Sequence, residues 1–332
     1  MTSCARLLCL PGAALIAVFS GMFTTVAAQQ NAAANYPTKP IRWITPYPPG
    51  GSTTALSRMV GDKLSEAFGR NVIIDNRPGG NTMTGADAVA KALPDGYTVL
   101  LGGNSQVILS LLMKPPFDVW RDFAPVTILA KTNYILVVNP SLPANNLQEF
   151  IAYAKARPGQ LNVASVASGS SQHLMGELFN ILAGVKMQHV PYKGGQQGII
   201  DLIGGTVQAS FSNAINVIPQ IKGGKLKGLA ITGDKRTASL PNLPTYAEAG
   251  MPAYDPKNWQ GMLATGGTPP AIVNKLSNEI AKILAMPDIR DRLLASGMEP
   301  FHTGPEKMAA QMKSDHAEAA KVIKTANIRI EG

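Results

Sequence analysis

Cysteine is nearly missing from this sequence: two in 332 residues, Cys4 and Cys9, both within the first ten. Everything downstream therefore lacks a disulfide framework, a thiol nucleophile and any cysteine-ligated metal. Charge is sparse as well. Charged residues make up 15% and apolar residues 45%, a balance that excludes a disordered chain, which needs low hydrophobicity and high charge. The net charge of +9 is dispersed, with no long Lys/Arg block, and reads as mild steering toward anions rather than a nucleic-acid footprint. The phosphate-binding P-loop, the dinucleotide G-x-G-x-x-G and the H-E-x-x-H zinc motif are all missing.

Only one apolar run is long. Arg6 precedes an uncharged stretch from Leu7 to Val26, and Val26-Ala27-Ala28 has the small-x-small pattern of a cleavage site. Residues 1–28 read as a secretory signal peptide cut after Ala28. Pro11, Gly12 and Gly21 interrupt the run, which is marginal for the ~20 apolar residues of a membrane span. An exported, cysteine-free chain of this size fits a bacterial periplasm, where a full core makes disulfides unnecessary.

From Ile41 onward strands and helices alternate, which argues for α/β architecture with parallel strands and helices on both faces. Strands are predicted at Ile41–Thr45, Val72–Asp75 and Tyr97–Gly102, with a helix over Thr54–Phe68 whose Leu56, Met59, Val60, Leu64 and Phe68 recur at helical spacing. The rhythm breaks at Phe123–Asn139, where two extended runs sit back to back. A second α/β unit follows, and the irregular Lys235–Pro256 stretch is a second crossing. The expectation is two lobes with a cleft between them: lobe 1 from 36–132 plus 258–332, lobe 2 from 133–257. Asp288 and Thr303 are expected to cap the late helices.

Ligands in open α/β sheets bind at the C-terminal ends of strands. Four such turns carry small polar residues. Pro48-Pro49-Gly50-Gly51-Ser52-Thr53 leads into a helix start, which offers unpaired amides and a positive dipole end to an anion. Ser165–Ser171 supplies hydroxyls and amides. Tyr192-Lys193-Gly194-Gly195-Gln196 and Ser212-Asn213 complete the set. Catalytic patterns are weaker. Gly169-Ser170-Ser171-Gln172-His173 approaches a nucleophile elbow but has His173 where the second glycine belongs; a serine-dependent hydrolase using Ser170 or Ser171 with His173 is the alternative reading. His173 and Glu177 have metal-ligand spacing without a third ligand, so a helix-surface pair is expected. His189, His302 and His316 are isolated, and Trp259 is either core or cleft wall.

These same turns carry a resemblance to a known family. Tyr36-Pro37-x-Lys39-Pro40-Ile41-Arg42, Pro48-x-Gly50-Gly51-Ser52-Thr53, Asn76-Arg77-Pro78-Gly79-Gly80 and Pro94-Asp95-Gly96-Tyr97-Thr98 match in order and spacing. So do Asp122–Val126, Ser168-x-Ser170-Ser171-x-His173-Leu174, His189–Gly194, Pro241-x-Leu243-Pro244-Thr245, Glu248-Ala249-Gly250 and Trp259 with Gly261. The sequence resembles the periplasmic solute receptors of tripartite tricarboxylate transporters, the Bug family. The resemblance implies a two-lobe Venus-flytrap fold of the type II periplasmic-binding-protein kind, with two crossover segments and no catalysis, metal or cofactor. It implies a small organic anion, a mono- or dicarboxylate, aliphatic or aromatic, held by amides and hydroxyls. It implies delivery to the membrane subunits of such a transporter or to a sensor kinase, with no nucleic-acid partner, by a monomer. Candidate ligand-binding residues are Tyr47, Pro49, Gly50, Gly51, Ser52, Thr53, Thr54, Asn104, Ser105, Ser165, Ser168, Gly169, Ser170, Ser171, Lys193, Gly194, Ser212, Asn213 and Trp259. Two departures bear on the ligand. Many relatives carry Asp where Thr54 stands, which argues against an amino acid here, and Val166-Ala167 makes one wall more apolar, which favours an aromatic or longer aliphatic acid.

Overall fold

The computed structural model describes residues 34–166, 168–192, 195–256 and 258–328; the expected signal peptide, Lys193 and Gly194 lie outside these residues. The described chain folds as two sheets. The first has the order β11-β4-β10-β3-β1-β2 and the second β7-β6-β8-β5-β9. Strands β1 (Ile41–Thr45), β2 (Val72–Asn76) and β3 (Thr98–Gly103) run parallel, and β4 (Phe123–Thr132), β10 (Trp259–Thr265) and β11 (Met298–Pro300) extend the sheet antiparallel. In the second sheet β6 (Asn162–Ser165), β7 (Gln188–Pro191) and β8 (Ala209–Asn213) are parallel, while β5 (Tyr134–Val138) pairs antiparallel with β8 and β9 (Lys227–Ile231). The two sheets are thus mixed rather than purely parallel, because β10 and β11 in the first sheet and β5 in the second run against the strand–helix units.

Alternation on the strands builds one core per face. Ile135 and Val137 of β5 enter one cluster and Leu136 and Val138 the opposite one. In β3, Val99 and Leu101 face one core and Leu100 the other. The helices cover these faces. They are α1 (Ser52–Phe68), α2 (Met83–Ala90), α3 (Asn104–Leu112), α4 (Leu147–Lys155), α5 (Ser171–Ala183), α6 (Gly195–Ile203), α7 (Ala214–Lys222), α8 (Pro270–Ala285), α9 (Pro287–Ala295) and α10 (Pro305–Ala326).

Two helices fall on segments that the sequence reading leaves unassigned. Asn104–Leu112 is a helix although its apolar run has no clear polar face, and Ala214–Lys222 stays helical through Pro219, which forfeits the bond to the Ile215 carbonyl. The late caps also shift. Met286 and Gly304 occupy the N-cap positions, Asp288 sits inside the first turn, and Thr303 turns its hydroxyl toward the Ile128 amide instead.

The chain passes from the first sheet to the second at Asn133 and returns through 232–258. A third link is side-chain packing. On α10, Ala319 and Val322 pack with Ile108 of α3 and Leu174 of α5, so the C-terminal helix bridges both halves.

Candidate functional site

Five helices begin at one cavity of about 650 Å³. Its lining includes Gly51, Ser52 and Thr53 at the start of α1, Asn104 and Ser105 at α3, Ser170 to Gln172 at α5, Gly195 and Gln196 at α6, and Asn213 and Asn216 at α7. Each follows a strand end, so the sheets aim the helix starts. The size is typical of small-molecule sites.

The two walls differ in their capping. Gly51 caps α1 in an extended conformation and has no side chain to satisfy the first amides; Gly103 does the same for α3. A side chain at Gly103 is excluded, since its Cβ would lie 2.7 Å from the Trp259 carbonyl oxygen. Gly50, at φ +90°, makes the turn that brings Gly51 to the cavity. On the opposite wall, Ser170 Oγ accepts from the His173 amide (3.2 Å) and Asn213 Oδ1 from the Ile215 amide (3.2 Å). The first wall thus presents two helix starts capped by glycine, and a helix start attracts an anion.

Among the described residues no Asp, Glu, Lys, Arg or His side chain lines the cavity. The polar lining is hydroxyls, carboxamides and backbone. Tyr47 and Tyr134 stand on the floor, and burial pushes both phenols up, so they are protonated at neutral pH.

A family model described as the tripartite tricarboxylate transporter family receptor matches residues 56–328. The chain belongs to that family. Protein BugT of Bordetella pertussis is 34% identical over 322 residues, spanning 96% of this chain and 98% of BugT. An R. palustris protein solved with adipate superposes with a TM-score of 0.81 at 35% identity, covering 89% of this chain and 99% of that one. MatC from Rhodopseudomonas palustris, with bound malate, gives 0.76 at 28% identity over 87% and 100%. The chain is a periplasmic solute-binding protein of this type, with the two-lobe fold of such receptors.

In this receptor the cavity gathers Tyr47, Pro49, Gly50, Gly51, Ser52, Thr53, Asn104, Ser105, Ser165, Ser168, Gly169, Ser170, Ser171, Ser212, Asn213 and Trp259. Thr54 is not among the lining residues. It is buried inside the first half, and its Oγ1 accepts from Asn76 Nδ2 at 2.9 Å. The α1 turn rotates position 54 away from the cavity, so the argument against an amino acid cannot rest on it.

Residues that sequence reasoning overlooked are Asn81, Thr82, Tyr134, Gln172, Asn216, Asn258 and Gln260. Asn81 and Thr82 belong to a left-handed turn, Gly80–Thr82, with φ of +51° and +77°, an unfavourable conformation for a β-branched residue.

His173, which is buried, and His189, which is half-buried, form a pair behind the second wall. The His173 and His189 rings stack at 3.6 Å and 8°. His189 Nε2 lies 2.6 Å from Ser165 Oγ, and His173 Nδ1 accepts from the Gly169 amide at 3.0 Å. Burial lowers both pKa values to about 4, and for His189 the neighbouring His173 adds to it. His173 Nε2 is 3.9 Å from Glu177 Oε1, in a partly buried setting rather than the helix-surface pair expected from spacing. Stacked rings do not converge on one point, and no grouping of three or more His, Cys, Asp or Glu that would hold a metal ion occurs among the described residues.

Proposed function

We infer that this receptor captures a small organic carboxylate, a mono- or dicarboxylate, between its two halves in the periplasm. It then delivers the acid to the membrane subunits of a tripartite tricarboxylate transporter or to a sensor kinase. The observation that carries this reading is the first wall: two helix starts with glycine N-caps, which have no side chain of their own to cap the helix, in a cavity whose described lining holds no charged side chain. Hydrogen bonds from neutral donors to a carboxylate contribute about 1.5–3 kcal/mol each, so a few amides and hydroxyls suffice without an arginine. The adipate and malate held by the two R. palustris proteins support the class.

Residues 1–28 supply the export signal in this reading. Residues 133–257 move as one lobe against the rest, hinged at the two crossings, and the receptor acts as a monomer without a cofactor. The binding reading is also favoured over ester hydrolysis. Ser170 Oγ is engaged as a helix cap, and the His173 Nδ1 lone pair is taken by the Gly169 amide, which puts the proton of the neutral imidazole on Nε2 and leaves no lone pair to act as a base on Ser170.

The test is a thermal-shift screen of the mature protein against succinate, malate, adipate, citrate, benzoate and terephthalate. An acid at 100 times its Kd adds about 2.7 kcal/mol, which raises Tm by several degrees. Absence of a shift with every acid, on protein shown by mass spectrometry to hold no co-purified ligand, would refute the reading.

A further inference from the structure

The hydrogen-bond directions at one corner of the cavity are fixed by a residue that does not line it. Gln106, on the first turn of α3, is fully buried. The Gly103 backbone N–H can only donate, and it points at Gln106 Oε1 from 2.7 Å. That sets the carboxamide: oxygen toward Gly103, nitrogen toward Thr82, whose Oγ1 accepts from Nε2 at 2.9 Å. Ser105 Oγ then lies 3.2 Å from an oxygen that holds no proton, so Ser105 donates to it. With its proton committed, Ser105 accepts from the Tyr47 hydroxyl, 3.1 Å away. The Tyr47 proton is therefore committed in turn, and its oxygen offers the cavity only lone pairs.

An independent observation points the same way. Gln260, on β10 beside Gly103 in the sheet register, carries a buried side-chain oxygen without a protein partner. It too lines the cavity. Tyr47 thus presents lone pairs at this corner, with an unpartnered acceptor on the neighbouring strand, and a carboxylate placed against Tyr47 would meet lone pairs with lone pairs. The ligand group that fits this corner brings a proton. An ammonium would be buried there without a carboxylate partner among the described lining residues, which is costly.

We propose that Tyr47, with Gln106 as the positioning residue that sets its polarity through Ser105, selects a carboxylate ligand that also bears a hydroxyl. The hydroxyl donates to this corner while the carboxylate sits on the helix starts. This rests on the carboxylate-receptor reading above and deepens it.

Calorimetry on matched pairs tests it: succinate with each enantiomer of malate, adipate with 2-hydroxyadipate, and benzoate with 4-hydroxybenzoate. In the wild type, at least one hydroxylated acid binds about fivefold or more tightly than its partner, the worth of one neutral hydrogen bond. Tyr47→Phe brings that ratio to within about twofold of one. Gln106→Met frees the Ser105 and Tyr47 protons and turns the ratio toward the unhydroxylated acid, a change that mere loosening of the wall does not produce. If acids bind but every pair gives equal or weaker binding for the hydroxylated member, the proposal fails and the receptor reading stands. A ratio unmoved by Tyr47→Phe also overturns it. If none of the acids binds, the receptor reading falls and this assignment falls with it.

Discussion

Gly51→Asp separates folding from binding at the first wall. A Cβ at Gly51 would meet only Thr53 Oγ1, at 3.8 Å, and the backbone there, φ −82° and ψ 172°, is the extended conformation an N-cap residue adopts. Asp is among the best N-cap residues and exceeds Gly there by a few tenths of a kcal/mol, so the variant folds with an unchanged or slightly higher Tm. Its carboxylate takes the α1 amides that the ligand needs. Two like charges about 5 Å apart repel by about 3 kcal/mol at an effective dielectric of 20, and by under 1 kcal/mol in water. Gly51 is exposed, so a value between these applies. Losing even one amide bond to the anion adds about 1.5–3 kcal/mol. The sum corresponds to a loss of affinity of about fiftyfold or more. Calorimetry with an acid that binds the wild type, run beside thermal unfolding, reads both effects. A variant with wild-type Tm and affinity within about tenfold of wild type would show that the ligand anion does not sit on α1.

The stacked histidines make stability pH-dependent. Their folded pKa values, about 4, lie below the ~6.5 of an unfolded imidazole, so the unfolded chain binds more protons between those limits. Their contribution is complete above about pH 6.5 and is lost as pH falls toward 4, on the order of 1–3 kcal/mol for the pair after solvent screening. Melting curves from pH 7.5 to 4.5 should flatten in His189→Gln; parallel curves would refute the assignment. Trp259 donates through Nε1 to the buried Asp315 at 2.6 Å, so Trp259→Phe costs about 1.5–3 kcal/mol, the value of a bond to a carboxylate. Trp259 is the tryptophan at the cavity, and the same variant should abolish the change in intrinsic fluorescence on acid binding; persistence of the change would place the reporter at Trp43 or Trp120. Ser170→Ala removes the α5 cap and costs about 1 kcal/mol. Background turnover of chromogenic esters should be the same before and after, and a loss on substitution would revive hydrolysis.

What the sequence displays and what it hides have separate physical causes. Glycines and serines after a strand are a local signal, so the turns at Gly50–Thr53 and Ser168–Ser171 are visible in one dimension, and the structure places them on the cavity. Thr54 shows the limit of that signal: one further residue along α1 turns the side chain by about 100°, and it bonds Asn76 instead. Thr82 carries no signal because ordinary propensity argues against left-handed backbone at a β-branched residue, and Asn81 alone does not mark the turn as part of a site. Tyr134 and Asn258–Gln260 lie over a hundred residues apart and meet only because the chain crosses between the sheets twice. The helix Ala214–Lys222 was hidden by Pro219, whose cost is carried by Val217 and Ile218 buried against the second sheet. His173 and His189 looked isolated because one is on a helix and the other on a strand; α5 packs over β7 and brings the rings face to face.

Charge and selectivity are assigned to different parts of this molecule. The excess of Lys and Arg, +9 over the whole sequence, lies outside the described cavity lining and acts at a distance, raising the local concentration of anions in a salt-dependent way. Inside, an arginine would bind most anions strongly and discriminate mainly by charge. Neutral dipoles discriminate by direction: an amide or hydroxyl that donates rewards an acceptor and penalises a donor, because the mismatched pair leaves two desolvated groups without partners at about 1–3 kcal/mol each. A wall built of such groups is selective only while their directions are fixed. Buried Gln106 fixes them at one corner, and the Ser170 and Asn213 caps fix the helix starts on the opposite wall. Salt should therefore slow association without changing the ranking of acids, whereas substitutions behind the wall should change the ranking. A ranking that reordered with ionic strength would mean that the unassigned charges, not the neutral wall, select the ligand.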